Sequence, residues 1–417
     1  MKILIKSGQV IDPANKTDEV LDILIAKGKI EKIAKSINAE GAEVIDAKGK
    51  IVAPGLVDLH VHLREPGRED EETIASGAKA AAKGGFTTVL AMPNTEPVCD
   101  NDAQVKFILE KAKDAVINIL PVGAISKGEK GEELAEIGDM VQAGVVAISD
   151  DGHPVSNAQL MRRALEYSTM FNIFVITHAE DLDLTADGVV HEGAVATKLG
   201  LRGIPAESET VAIARDIALA RMTNGKLHIA HVSKAGSVEL IRQAKKSGLK
   251  ITCETAPHYF TLNDSALEDY NTNLKVKPPI GTEVDQQAII AGLKDGTIDA
   301  IATDHAPHAE HEKDCPFDEA AFGMIGLETA LALTRKILGW KELIEKLSST
   351  PAKIAGLDKG TLTIGQDADL IIIDPDEDWK VTKEDFVSRS KNSAYIGSNL
   401  KGRVKITISG GKIAYKE

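Results

Sequence analysis

The chain reads as an α/β protein: a (β/α)8 TIM barrel carrying a small β-sandwich-like domain built from both chain ends. Three observations predict this. Eight short apolar runs lie between residues 56 and 303, most of them separated by helical stretches. Polar residues cluster where those runs finish. Short alternating segments occupy both ends of the chain, with no long helical pattern among them.

The first 52 residues hold Ile3–Lys6, Val20–Ala26, Ile30–Ile33 and Val44–Ile45, strand-like pieces separated by glycines and charges. Strand character returns after about residue 357, in Gly360–Ile364, Asp369–Ile373, Val404–Ser409 and Lys412–Tyr415. The expected division is a composite β-domain of residues 1–52 plus 358–417, and a metal-dependent catalytic barrel of residues 53–357.

The barrel strands are expected at Leu56–His62, Thr87–Met92, Ile117–Val122, Val145–Ser149, Ile173–His178, Leu227–Val232, Lys250–Glu254 and Ile298–Thr303. Helices between them carry end signals. Glu71–Lys83 stops at Gly84-Gly85, Ser156 precedes a run through Leu160 and Leu165, and Ser208 precedes Val211–Met222, which stops at Asn224-Gly225. Alternation alone also suits a doubly wound sheet. The polar strand ends favour the barrel, whose active sites collect residues from many strands at the C-terminal face. These ends are His60/His62, Asn94, Asp150/Asp151, His178, His231 and Asp304.

Composition narrows the partners. Hydrophobic residues make up 43% of the 417, enough for a large core, while aromatics are only 4%, so aliphatic side chains do most of the packing. A net charge of −14 argues against nucleic acid, and an anionic small-molecule substrate would need a local cation. The first residues alternate like a strand and lack the apolar core of a signal peptide. No apolar run reaches membrane-spanning length. Cys99, Cys253 and Cys315 are scattered and odd in number, which suggests a cytoplasmic protein without disulfides.

The stretch Val57-Asp58-Leu59-His60-Val61-His62-Leu63-Arg64 is the sharpest functional signal. Alternation puts Asp58, His60 and His62 on one strand face, where two imidazoles can chelate one metal and Asp58 can fix their tautomers. His178 and His231 end two further runs. His228, three residues before His231, is expected to face the other way. Asp304 ends the eighth run, where a buried carboxylate needs metal or hydrogen bonds. His153, His191, His258 and His311 fall in loop-like contexts and read as ordinary polar residues. Four histidines with Asp151 and Asp304 suit one or two zinc ions per chain better than calcium or magnesium. Such a pair would generate hydroxide at neutral pH, and Asp304 would take its proton and return it to a leaving nitrogen.

These residues resemble the amidohydrolase superfamily, and within it the bacterial class I dihydroorotases. The likeness runs from Ile51-Val52-Ala53-Pro54-Gly55 to Gly365-Gln366-Asp367-Ala368-Asp369-Leu370. It is most specific at Asp58–Gly67, Met92-Pro93-Asn94-Thr95, Ser149-Asp150-Asp151-Gly152 and Ala302–His308. The resemblance implies His60, His62 and Asp151 on one metal, and Asp151, His178 and His231 on a second, with Asp151 bridging. It makes Asp304 a ligand and the catalytic acid/base. Arg64, Asn94 and His308 would grip the substrate carboxylate, and the Phe322-Gly323 backbone would contact the pyrimidine ring. A charged loop between Asp304 and Gly323 could act as a lid.

The activity implied is reversible cyclisation of N-carbamoyl-L-aspartate to L-dihydroorotate, a step of pyrimidine biosynthesis. The resemblance implies that hydantoinases, allantoinases and other dihydroorotases bridge their metals through a carboxylated lysine on the fourth strand, whereas bacterial class I dihydroorotases use an aspartate just beyond it, here Asp151. Gly144–Ser149 offers no lysine, which favours the dihydroorotase reading. Three positions depart from the family: Lys277 stands where Asn is frequent, Gly281 where Arg is common and Ala321 where Pro is frequent. Lys277 either binds an anionic substrate or sits in solvent. The competing readings are a cyclic amidase for allantoin or a hydantoin, and a non-catalytic scaffold for aspartate carbamoyltransferase. The scaffold reading suffers because all six ligands are present. Homo-oligomerisation or association with aspartate carbamoyltransferase is compatible with the resemblance.

Overall fold

The computed structural model describes residues 2–417. All eight apolar runs form parallel strands. The first three, Leu56–Val61, Phe86–Ala91 and Asn118–Pro121, pair in order. The third continues as Gly123–Ala124, which pairs with Ala147–Ser149. From there Phe174–Thr177, Leu227–Ile229, Ile251–Thr255 and Ala300–Ile301 follow in chain order. A parallel bridge between Val61 and His305, with the His62 amide donating to the His305 carbonyl at 2.9 Å, closes the barrel.

Period-two alternation sorts the strand residues. Leu90, Ala147, Phe174, Ile176 and Ala300 fill the barrel interior, while Val89, Ile148, Val175 and Ile301 face out and pack against helices. The first strand breaks the rule. Its register with the second shifts between Asp58 and Val61, and Leu59 joins the interior cluster that alternation would have denied it.

The chain ends meet in one eight-stranded sheet. Lys2–Asp12, Thr17–Ala26, Lys29–Ala34, Glu43–Asp46 and Ile51–Pro54 come from one end; Leu370–Lys380, Asn399–Ser409 and Lys412–Lys416 come from the other. Ile51–Pro54 joins the halves, parallel to the first strand and antiparallel to Leu370–Ile373. The sheet curls until its ends touch. Ile30, near one edge, shares a core with Ile406 and Ile408 near the other. At the seam Gly28 and Gly411, both with positive φ, approach so closely that a Cβ on Gly411 would lie 2.5 Å from the Gly28 Cα. Alternation divides labour here too. Val52, Leu370 and Ile372 face the sheet's own core; Ile51, Ala53, Ile371 and Ile373 pack into the barrel's outer core.

Two expected elements differ. Gly360–Ile364 is a loop, because it satisfies its polar groups on a side chain: the Leu362 amide and Thr361 hydroxyl donate to Asp12 Oδ2 at 2.7 and 3.3 Å. The helix expected from Glu71 starts at Ile74, capped by Thr73, whose hydroxyl accepts from the Ser76 amide at 3.0 Å. Glu71 and Glu72 precede it, buried, and serve other partners. No helix among the described residues is long and apolar enough to cross a membrane.

Candidate active site

The six expected ligands converge at the C-terminal mouth of the barrel. One Asp151 oxygen faces His60 Nε2 at 3.3 Å and His62 Nε2 at 3.4 Å; the other faces His178 Nδ1 at 3.4 Å and His231 Nε2 at 3.5 Å. Asp304 Oδ1 lies 3.6 Å from His60 Nε2 and 3.4 Å from His62 Nε2. All six are buried.

Local backbone explains how side chains from five strands meet. The first strand ends at Val61, so His62 sits just past it. His231 and Asp304 adopt left-handed backbone, φ 35° and 49°, uncommon for residues with a Cβ. At His231 the consequence is direct. His228 and Ala230 already occupy interior positions, so alternation would send His231 outward; the left-handed residue turns it back in. The expectation that His228 and His231 oppose each other is therefore corrected. His228 lies inside the barrel, its Nε2 3.2 Å from Glu254 Oε2 and its Nδ1 2.8 Å from the Thr252 hydroxyl.

The outer ring nitrogens are held. Glu254 Oε1 meets His60 Nδ1 at 3.2 Å, Asn94 Oδ1 meets His62 Nδ1 at 2.9 Å, and Glu180 Oε2 lies 3.4 Å from His178 Nε2. These contacts leave the opposite nitrogens of all three rings facing Asp151, that of His178 also meeting His231 Nε2 at 2.8 Å. The tautomer-fixing role expected of Asp58 falls to Glu254. Asp58 instead accepts the His60 amide at 3.1 Å and the Thr303 hydroxyl at 2.6 Å, tying the first strand to the eighth. Glu254 and Glu180 were not singled out in the sequence. The argument that flagged Asp304, a carboxylate ending a buried strand, applies equally to Glu254.

The electrostatics of the cluster favour a cation. Burial opposes charge on His178, yet the hydrogen bonds and charges of Asp151 and Glu180 push it up to about 9. His60 is likewise raised despite burial, by Asp151, Glu254 and Asp304. Burial works against ionised Asp151 and Asp304, but the surrounding imidazoles hold both below the usual carboxylate range. His60 Nε2 and Asp151 Oδ1 are buried without a hydrogen-bond partner. Two groups of donors therefore fit metal ions and share Asp151: His60, His62 and Asp151, and Asp151, His178 and His231.

A second group stands beside this centre. Arg64 Nη2 lies 3.3 Å from His308 Nε2, which is 2.8 Å from the Phe322 carbonyl oxygen. Arg64 Nε donates to the Pro307 carbonyl at 3.1 Å and lies 2.9 Å from Glu71 Oε2 in an ion pair; His308 Nδ1 meets Glu71 Oε1 at 3.1 Å. Arg64 does not extend the strand. Its φ of 60° turns the chain, and the guanidinium reaches His308 from the loop. Gly323, φ 141°, passes so near that a Cβ would stand 2.9 Å from His308 Nε2. Lys277 is half-buried. Its ammonium pairs with Glu180 Oε1 at 3.1 Å and stands 5.5 Å from the centre of the Phe322 ring. Asp150, next to the bridging residue, is structural: its carboxylate accepts the Ile125 and Ser126 amides at 2.7 and 3.0 Å.

Known proteins share this architecture. The profile described as Dihydro-orotase-like matches residues 49–237. A dihydroorotase of Geobacter metallireducens is 53% identical over the full length of both chains. One of Acetivibrio thermocellus is also 53% identical, over 100% of this chain and 99% of its own. The chain belongs to the dihydroorotase family. Among solved structures, the L-hydantoinase (dihydropyrimidinase) of Arthrobacter aurescens superposes with a TM-score of 0.88 at 27% identity, covering 99% of this chain and 96% of its own. The dihydropyrimidinase of Brevibacillus agri, with a TM-score of 0.86 at 24% identity over 100% of this chain and 95% of its own, shares the fold. For a dihydroorotase-family chain the barrel with its small β-domain is thus the common frame of cyclic amide hydrolases.

Proposed function

We propose that this chain is a zinc-dependent dihydroorotase, interconverting N-carbamoyl-L-aspartate and L-dihydroorotate plus water in pyrimidine biosynthesis. The observation that carries the reading is Asp151, whose two oxygens each face one pair of histidines. The donor set of imidazole nitrogens and carboxylate oxygens fits one or two zinc ions held by His60, His62, Asp151, His178, His231 and Asp304. Zinc bound there would lower the pKa of water toward ~7 and polarise the ring carbonyl.

The chain's own residues do the rest. Asp304, ionised and within 3.6 Å of His60 and His62, takes the proton of the attacking water and delivers it to the departing ring nitrogen. Arg64 and His308 hold the substrate carboxylate. Arg64 commits Nε to Glu71 and Pro307, which leaves its Nη edge beside His308 for an anion. Asn94 orients His62 through its Oδ1 at 2.9 Å and is assigned to the substrate-binding set with Arg64 and His308. Phe322 and Gly323 supply backbone to the ring, which explains the close approach of Gly323 to His308. Lys277, ion-paired with Glu180 and 5.5 Å from the centre of the Phe322 ring, is the remaining candidate contact for the substrate. We assign catalysis to residues 53–357 and treat residues 1–52 with 358–417 as one supporting β-domain. The three free cysteines fit a reducing cytoplasm.

The test is metal analysis combined with turnover. Purified protein should carry one to two zinc equivalents per chain and turn over dihydroorotate in preference to hydantoin and allantoin. Asp304→Asn should lower kcat by roughly 10²–10⁴-fold with the fold intact. Full activity after thorough metal stripping, or a preference for hydantoin, would refute the reading.

A further inference from the structure

Among the described residues outside the site, Lys313 is one of three buried lysines, with Lys234 and Lys275, whose ammonium groups donate to backbone carbonyls and form no ion pair with a carboxylate. Lys313 ends the short helix Glu310–Lys313 in the loop that follows His308, and only 8% of its surface is exposed. Its ammonium donates to three backbone carbonyls: Ala321 at 2.6 Å, Thr272 at 3.1 Å and Lys275 at 3.4 Å. Burial, with the neighbouring charge of Lys275, pushes Lys313 down to about 7. A buried ammonium is costly unless hydrogen bonds offset its lost hydration, and at Lys313 three carbonyls do so.

The three carbonyls surround one segment. Ala321 immediately precedes Phe322, and its amide donates to Glu312 at 3.0 Å. The Lys275 carbonyl that receives Lys313 also receives the Gly323 amide at 2.8 Å. Thr272 closes the circle, its hydroxyl donating to the Lys313 carbonyl at 2.5 Å. Lys275 itself stands 4.6 Å over the Phe322 ring and donates to the Asp318 carbonyl at 2.9 Å. Phe322 and Gly323 are thus clamped from behind, while Phe322 meets His308 in front. On the outer side, Lys313, His308 and Asn273 line a cleft of about 530 Å³, so the pinned loop forms the wall between solvent and site.

We propose that Lys313 is a positioning residue for the substrate ring: its ammonium, through the carbonyls of Thr272, Lys275 and Ala321, fixes the backbone of Phe322–Gly323 at the distance the ring requires. This rests on the dihydroorotase reading, in which that backbone meets the pyrimidine ring. Lys313 touches no substrate atom; it acts through the loop.

The experiment compares Lys313→Met and Lys313→Arg with the wild-type holoenzyme, using dihydroorotate. Lys313→Met should raise KM tenfold or more while kcat falls less than threefold and zinc content stays unchanged. Lys313→Arg, which keeps donors for the carbonyls, should return KM to within threefold of wild type. Subtilisin should cut the Met variant between residues 309 and 321 faster than wild type, and saturating dihydroorotate should slow that cleavage. If Lys313→Met does not fold, Lys313→Gln is measured in its place, with the same rise in KM expected. An unchanged KM in the neutral variant, or a loss confined to kcat or zinc content, overturns the proposal. Absence of dihydroorotate turnover in wild type would instead overturn the functional reading beneath it.

Discussion

Among single residues, Glu254 shows what composition and spacing conceal. Burial opposes its charge, yet His228 and His60 hold its carboxyl down to about 2, so it remains an ionised acceptor in the barrel interior. One oxygen fixes His60 and the other His228. Glu254→Gln removes the charge and presents a donor to one ring. Metal affinity should fall by roughly 10–100-fold, read by chelator competition against wild type; retention equal to wild type would detach Glu254 from the metal centre. The six converging histidines and aspartates were legible because they fall at strand ends, where an imidazole or carboxylate has few other uses. Glu254 and Glu180 were passed over: Glu254 ends a buried strand as Asp304 does but meets His60 only across about 194 residues, and Glu180 follows His178 by two residues while its second partner, Lys277, lies 97 residues on. Lys277 illustrates the same limit: its choice between substrate and solvent could not anticipate an ion pair with Glu180, itself in contact with His178.

Strands and helices were more legible than single contacts, because burial on alternate residues leaves a repeating trace. All eight barrel strands overlap the expected runs, with Phe86–Ala91 starting one residue early and Ile251–Thr255 ending one residue late. The failures occur where side chains replace backbone partners, as Asp12 does for Thr361–Leu362, or where a left-handed residue resets the alternation, as at His231. Glycines at helix ends also carry meaning the pattern can rank only by position. Gly84 closes the helix Ile74–Gly84, and a Cβ there would meet the Leu327 carbonyl oxygen at 2.2 Å. The obstacle is backbone and cannot swing aside. Gly84→Ala should destabilise the protein by about 2–3 kcal/mol in denaturant titration. Gly131, with φ 68° and open space around its Cβ position, should lose only about 1 kcal/mol on the same change. Gly84 has ordinary helical backbone, where alanine is preferred, so an unchanged or raised stability in Gly84→Ala would show that the Leu327 carbonyl moves aside.

Across the whole molecule, barrel and end sheet are joined by polar as well as apolar contacts. Thr407 donates to the Ala82 carbonyl at 2.6 Å, and Glu328, past the eighth strand, accepts the Val387 and Ser388 amides at 2.7 and 3.4 Å. Burial raises Glu328 to about 7. The unfolded chain releases this proton near pH 4.5 and the folded chain only near 7, so the contribution is fully present below 4.5 and is lost as pH rises through 7. Glu328→Gln should flatten that decline, shifting the stability difference from wild type in the variant's favour by on the order of 3 kcal/mol between pH 4.5 and 8. Parallel pH–stability curves for the two proteins would contradict this. The sheet that joins the chain ends has a further consequence during synthesis. Ile51–Ile373 and Val52–Ile372 pair across more than three hundred residues. On the ribosome, the first five strands must wait, with Val52 and its neighbours lacking their partners, until the whole barrel has been translated. At ~5–20 residues per second that interval lasts on the order of tens of seconds. Throughout that interval Ile51–Pro54 has no antiparallel partner, so the composite sheet can be completed only after the barrel segment has left the ribosome.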